Sequence, residues 1–167
     1  MESIYLVGFM GAGKTTVSSI LSEKLGLEVI DTDHVIETKL EKTVSEIFEE
    51  YGEDYFRQLE HLVVKGVVKE NRIITTGGGA VLREDSRNIL KKKKNVIYLK
   101  ASATTILERL RDDTTRPLLQ TENKLEKIEA LLQQRDALYK EVATYTVDTD
   151  GLTLEQVARE IVDNLNE

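Results

Sequence analysis

Residues 8–16 read GFMGAGKTT, directly behind the apolar run IYLV. Gly8, Gly13, Lys14 and Thr15 fit the spacing G-x-x-x-x-G-K-[ST], with a strand-like run before it and a helical pattern after it, which is the context that spacing requires. The chemistry is phosphate binding. Glycines let backbone N–H groups turn inward around phosphate oxygens, and the following helix N-terminus adds the positive end of its dipole. Lys14 would reach the β- and γ-phosphates, and the Thr15 hydroxyl would ligate magnesium. This cradle implies nucleotide binding without fixing its consequence, because switch GTPases, motor ATPases and small-molecule kinases share it.

A second set of residues suits an acceptor. Asp31-Thr32-Asp33 follows the second strand-like run, at the carboxyl end of a sheet, where open α/β folds bind ligands. The two carboxylates are read as serving different partners, one facing a metal and one a substrate; capping of the next helix is the competing use. Thr76-Gly77-Gly78-Gly79 follows the third strand, and three successive glycines suggest bare backbone for a ligand to approach, or a tight strand-to-helix turn. Arg57 and Glu60 stand at i and i+3 of one helix, so the carboxylate can hold the guanidinium for a substrate anion. Arg135 and Arg116 are further cations whose forked shape fits a carboxylate or phosphate. His34 and His61 have neither metal-ligand spacing nor a nucleophile partner and are read as structural.

Five strand-like runs position these groups: Ile4–Val7, Glu28–Ile30, Arg72–Thr75, Asn95–Leu99 and Thr144–Val147. Helical patterns lie between them, and their alternation predicts a parallel sheet covered on both faces. Thr43 with Glu46, and Thr153 with Gln156, have capping-box spacing, and Gly26 stands where a first helix should end. The segment RDDTTRPLLQTENK, residues 111–124, holds the single proline and is too long for a tight turn, so it reads as a lid.

Composition excludes several classes. With 167 residues one domain is expected, and without cysteine there is no disulfide framework, thiolate metal site or cysteine nucleophile. A reducing, cytoplasmic setting follows as the expectation. No stretch reaches the roughly 20 apolar residues of a membrane helix, and the start lacks a basic region followed by a cleavage site. A net charge of −7 argues against nucleic acid and anionic lipid as partners. The run Lys91–Lys94 has no interleaved aromatics and reads as a solvated helix end and loop.

Taken in order, GFMGAGKTT, DTD, FRQLE, TTGGG, RPLL and Arg135-x-x-x-Tyr139 make the chain resemble the shikimate kinase family over nearly its whole length. The resemblance implies a three-layer α/β P-loop kinase fold, with a five-stranded parallel sheet, helices on both faces and a mobile lid at 111–124. It implies transfer of the ATP γ-phosphate to the 3-hydroxyl of shikimate, with Mg2+, by a monomer. By that resemblance Gly11, Ala12, Gly13, Lys14, Thr15 and Thr16 would hold the nucleotide phosphates, Arg109 would lie against adenine, and Arg116 would be the lid arginine. Asp33 would grip the shikimate hydroxyls, Arg57 and Arg135 would clamp its carboxylate, and Gly77, Gly78 and Gly79 would offer backbone contacts. Glu60 would join this substrate-binding region, roughly 33–61, and Phe48 and Phe56 would line the ring's apolar face, core packing being the alternative for either. Asp31 and Thr15 would serve the magnesium, since TTGGG replaces the usual Walker-B aspartate. Two departures stand out: Glu41 occupies a position often glycine in the family, and Ser18 another. The far wall of the base pocket, around DTDGLT, is left unassigned. A kinase for another hydroxylated acid, such as gluconate, and a binding module without transfer remain the rival readings.

Overall fold

The computed structural model describes residues 2–67, 70–110 and 123–165. Five strands, β1 Ile4–Val7, β2 Glu28–Asp31, β3 Arg72–Thr75, β4 Asn95–Lys100 and β5 Tyr145–Asp148, form one parallel sheet in the order β2-β3-β1-β4-β5. The helices are α1 Lys14–Leu25, α2 Thr32–Leu40, α3 Val44–Tyr51, α4 Glu53–Gly66, α5 Glu84–Lys91, α6 Ala103–Arg109, α7 Lys124–Val142 and α8 Leu154–Leu165. The strand order reverses direction at β1, which places the phosphate loop at the topological switch point.

Alternation along the strands divides the core. Ile4 and Leu6 of β1 pack with Val17 and Leu21 of α1 and Val157 and Ile161 of α8, whereas Tyr5 and Val7 face Leu90, Ile106, Ile128 and Tyr139 from α5, α6 and α7. A smaller core of Ile36, Ile47, Phe56 and Val63 joins α2, α3 and α4 beside the sheet. Burying each such side chain contributes roughly 1.5–3 kcal/mol, so both faces of the sheet are held independently of any ligand.

The local signals act as their chemistry requires. Thr43 and Glu46 exchange hydrogen bonds at 3.1 Å, Thr153 and Gln156 do the same at the start of α8, and Gly26 ends α1 at φ 67°. Strands β2 and β4 run one residue beyond the expected ends, β5 is shifted by one, and the last turn of α7 places Tyr139 and Val142 in the core. Glu41 adopts the left-handed conformation, φ 54°, as the C-cap of α2, and Ser18 is buried with its hydroxyl donating to Thr15 O at 2.7 Å. Lys91 pairs with Glu141 and Lys93 lies over the Tyr5 ring, so the lysine run is a helix end and loop. Of the expected lid, residues 111–122, with Arg116, lie outside the described residues.

Candidate active site

A cavity of about 710 Å³ opens over the carboxyl ends of β1, β2 and β3, lined at one end by Gly11, Gly13, Lys14, Thr15, Thr16 and Arg109, and at the other by Asp33, Gly77 and Gly78. The first end is the phosphate loop. Gly8 and Gly13 have φ of 149° and 102°, values a side chain tolerates poorly, and a Cβ on Gly8 would fall 2.7 Å from Leu99 O. Lys14 Nζ donates to the carbonyls of Gly8 and Phe9, across the mouth of its own loop. Arg109 Nη1 donates to Ala12 O at 2.9 Å and Gly11 O at 3.3 Å.

Residues that sequence reasoning missed complete this end. Leu154 lines the cavity and packs against Gly13 beside Arg109; a leucine following DTDGLT, it carries no polar signal. Thr75 stands in register with Asp31 across β3 and β2, and its buried Oγ1 has no hydrogen-bond partner. Register partners of parallel strands share a face, and both residues line the cavity with Thr15.

Asp31 does not simply extend toward a metal. Its Oδ1 accepts from Asp33 N at 2.9 Å and His34 N at 3.2 Å, so it caps α2, and Asp33 lies in the first helical turn rather than on an extended strand. The carboxylates expected to face different partners are instead a cap and a helical residue, because Asp at an N-cap satisfies free backbone donors; an extended stretch would have put both, two residues apart, on one face. Among the described residues no cluster of three or more His, Asp or Glu side chains forms a metal cage. A hard cation there must share its ligands with a phosphate.

The second end gathers charge from three elements. Arg57 on α4 donates to Glu60 Oε1 at 3.0 Å and to Glu53 Oε2 at 3.3 Å, with its guanidinium near the Phe48 and Phe56 rings. Phe56 is core, 2% exposed, whereas Phe48 is half-buried against it at 5.1 Å between ring centroids. Arg135 on α7 is buried over the Phe9 ring, and its Nε and Nη1 have no hydrogen-bond partner. A buried cation with unmatched donors calls for an anion. Burial raises Glu60 to about 7, against the lowering pull of Arg57 and with a further push from Asp33.

Glycines let these groups converge. A Cβ on Gly77 would fall 2.6 Å from both Asp33 Oδ1 and Glu60 Oε2, and one on Gly79 would collide with the Arg57 guanidinium. Gly78 packs against the phosphate loop at Met10 N and Gly8 O, which couples the two ends of the cavity. His61 lies outside this convergence, bonding Ser86 at 2.8 Å to join α4 to α5, whereas His34 lines the cavity from an exposed position.

A phosphate loop at the switch point of a five-stranded parallel sheet, sharing one cavity with Asp33 and a glycine turn backed by two arginines, defines a P-loop kinase of small molecules. The profile of the shikimate kinase family matches residues 10–166. A shikimate kinase of Thermodesulfovibrio yellowstonii is 46% identical, covering 97% of this chain and 94% of that protein, and one of Bacillus mycoides is 42% identical over the full length of both. The solved shikimate kinase of Acinetobacter baumannii, in complex with shikimate, is 42% identical with a TM-score of 0.96, covering 99% of this chain and 93% of that one. The chain belongs to the shikimate kinase family.

Proposed function

We propose that the phosphate loop and the Asp33–Arg57–Arg135 pocket are the donor and acceptor halves of one site, at which the ATP γ-phosphate passes to the 3-hydroxyl of shikimate. The products are shikimate 3-phosphate and ADP, the reaction of the family to which the chain belongs. The observation that carries the acceptor assignment is the buried Arg135 guanidinium with two unmatched donors, lying behind Gly78 at the Asp33–Gly77–Gly78 end of the cavity, near Arg57 held by Glu60. Two guanidiniums suit a carboxylate, and Asp33 with bare glycine backbone suits hydroxyls.

Phosphoryl transfer needs alignment and charge neutralisation more than covalent help. Backbone N–H groups of Gly11 to Thr16 and Lys14 hold the phosphates, with Lys14 exchanging its loop carbonyls for phosphate oxygens. Arg109 and Leu154 flank the base. Asp33 orients the acceptor hydroxyl and takes its proton. Phe48 edges the acceptor, while Phe56 supports α4. Arg116, within the lid of residues 111–124, closes on the transferring phosphate and excludes water.

The residues present also fit magnesium: Thr15 and Asp31 offer hard oxygens, and the orphaned Thr75 hydroxyl beside Asp31 is the observation that favours a hydrated cation there. Thr15 would hold the ion directly and Asp31 through water, and the ion would neutralise charge between the β- and γ-phosphates. We read the chain as a single-domain, monomeric, cytoplasmic enzyme of small molecules, with neither nucleic acid nor membrane as partner; no described helix is long and apolar enough to cross a membrane. Calorimetry on Arg57→Ala tests the division of the site. Shikimate should bind at least about 10-fold more weakly with ATP binding unchanged, and a normal shikimate Kd would refute the assignment.

A further inference from the structure

The glycines at the acceptor end form a four-residue turn, Gly77 to Ala80, closed by Ala80 N–H donating to Gly77 O at 3.0 Å. Its central peptide joins Gly78 to Gly79. All described peptides are trans, and in a trans peptide C=O and N–H point in opposite directions. Whatever holds the Gly78 carbonyl therefore sets where the Gly79 N–H points. Type I and type II turns differ by about a half-rotation of this peptide, and type II needs the positive φ that glycine accepts freely at the third position. With two glycines at the centre, backbone preference alone does not choose between them. Neither Gly78 nor Gly79 has positive φ, so the turn is held in the type I sense.

The holder comes from another element. Tyr139 on α7 is fully buried and its hydroxyl donates to Gly78 O. Its ring stacks at 4.9 Å from that of Tyr98, whose own hydroxyl donates to Asp136 Oδ1 at 2.7 Å and so ties α7 to β4. Burial pushes the Tyr139 phenol up to about 12, which keeps it a donor at neutral pH. At the start of the turn, Gly77 N donates to Thr32 Oγ1 at 3.2 Å. The peptide thus gripped lies between the two arginines of the acceptor pocket. A Cβ on Gly78 would stand 3.7 Å from Arg135 Nη1, and one on Gly79 would meet Arg57.

We propose that Tyr139 is a positioning residue for the acceptor: by holding the Gly78 carbonyl toward the core, it directs the Gly79 N–H outward, to the anion clamped by Arg57 and Arg135. The inference rests on the acceptor assignment made above. If the peptide turned over, a carbonyl oxygen would replace that N–H and oppose the same anion, so the clamp would lose a donor and gain a repulsion. One helix then supplies both a clamp, Arg135, and, one turn later, the bolt that fixes the backbone beside it.

Tyr139→Phe keeps the ring and removes the hydroxyl. Loss of one buried hydrogen bond, read as binding, should raise the shikimate Kd about three- to tenfold. The ATP Kd should stay within twofold of the parent's, and the amide signals of 15N-glycine in the turn should broaden or split as the peptide exchanges between orientations. Unchanged shikimate binding, or equal losses for shikimate and ATP, would overturn the role. Failure of the parent enzyme itself to bind shikimate would instead remove the acceptor assignment, and the inference with it.

Discussion

Arg57 and Glu60, one turn apart on α4, meet at 3.0 Å with side chains only 11% and 3% exposed. In the proposed acceptor site the pair would be the fixed half of the clamp, because Glu60 restricts Arg57 before any anion arrives. Its desolvation also makes the protein's stability depend on pH.

An unfolded glutamate loses its proton near 4.5, whereas burial holds that of Glu60 to about 7. Between those values the folded chain binds more protons than the unfolded one, so this contribution is full below about pH 4.5 and declines as pH rises toward 7. Glu60→Gln should abolish a decline on the order of 2 kcal/mol in urea unfolding followed from pH 5 to pH 8. An identical slope in parent and variant would contradict the buried-carboxyl assignment.

Arg135 pits function against stability. Replacing a buried cation two of whose donor atoms, Nε and Nη1, lack partners with an apolar chain of similar length removes a desolvation penalty. Arg135→Met should stabilise the ligand-free protein by about 1 kcal/mol, or ~2–4 °C in Tm, while weakening shikimate binding at least about 100-fold. A lower Tm would show that the guanidinium is satisfied in the free enzyme.

Gly79 is needed for what its missing side chain leaves room for. Its φ is not positive, so alanine fits the backbone, but the Cβ would displace the Arg57 guanidinium. Gly79→Ala should change stability by less than about 1 kcal/mol while shikimate KM rises about 10-fold or more. Retained KM would mean that Arg57 reaches its anion by another path.

Glu41 carries local strain that has no part in the site. A non-glycine residue in the left-handed region costs roughly 1–2 kcal/mol, partly offset by the greater chain entropy of glycine when unfolded. Glu41→Gly should raise stability by about 0.5–1 kcal/mol, seen in the thermal midpoint, with kcat and KM unchanged.

What could be read from the sequence was whatever is encoded locally. The phosphate loop, the capping boxes at Thr43 and Thr153 and the Arg57–Glu60 pairing each occupy a few residues, and the strand-helix alternation carries the sheet. Asp31 and Asp33 differ from the expected geometry for two reasons: residues two apart in a strand share a face, and α2 starts directly after β2, leaving no extended stretch between them. Thr75 and Tyr139 stand in the motifs TTGGG and Arg135-x-x-x-Tyr139 without a contact to explain them, and Leu154 in none, for another reason. Their significance lies in partners far along the chain: Asp31 across the sheet, Gly78 61 residues away, and Gly13 beneath Leu154. No spacing rule registers such meetings, because the fold makes them.

The most direct measurement is coupled ADP release with magnesium and ATP, comparing shikimate, quinate and gluconate with no acceptor. Turnover with shikimate, and background rates with the other two, is the result predicted by a pocket of two arginines, Asp33 and a fixed glycine turn. Turnover independent of acceptor, or preferring gluconate, would contradict it.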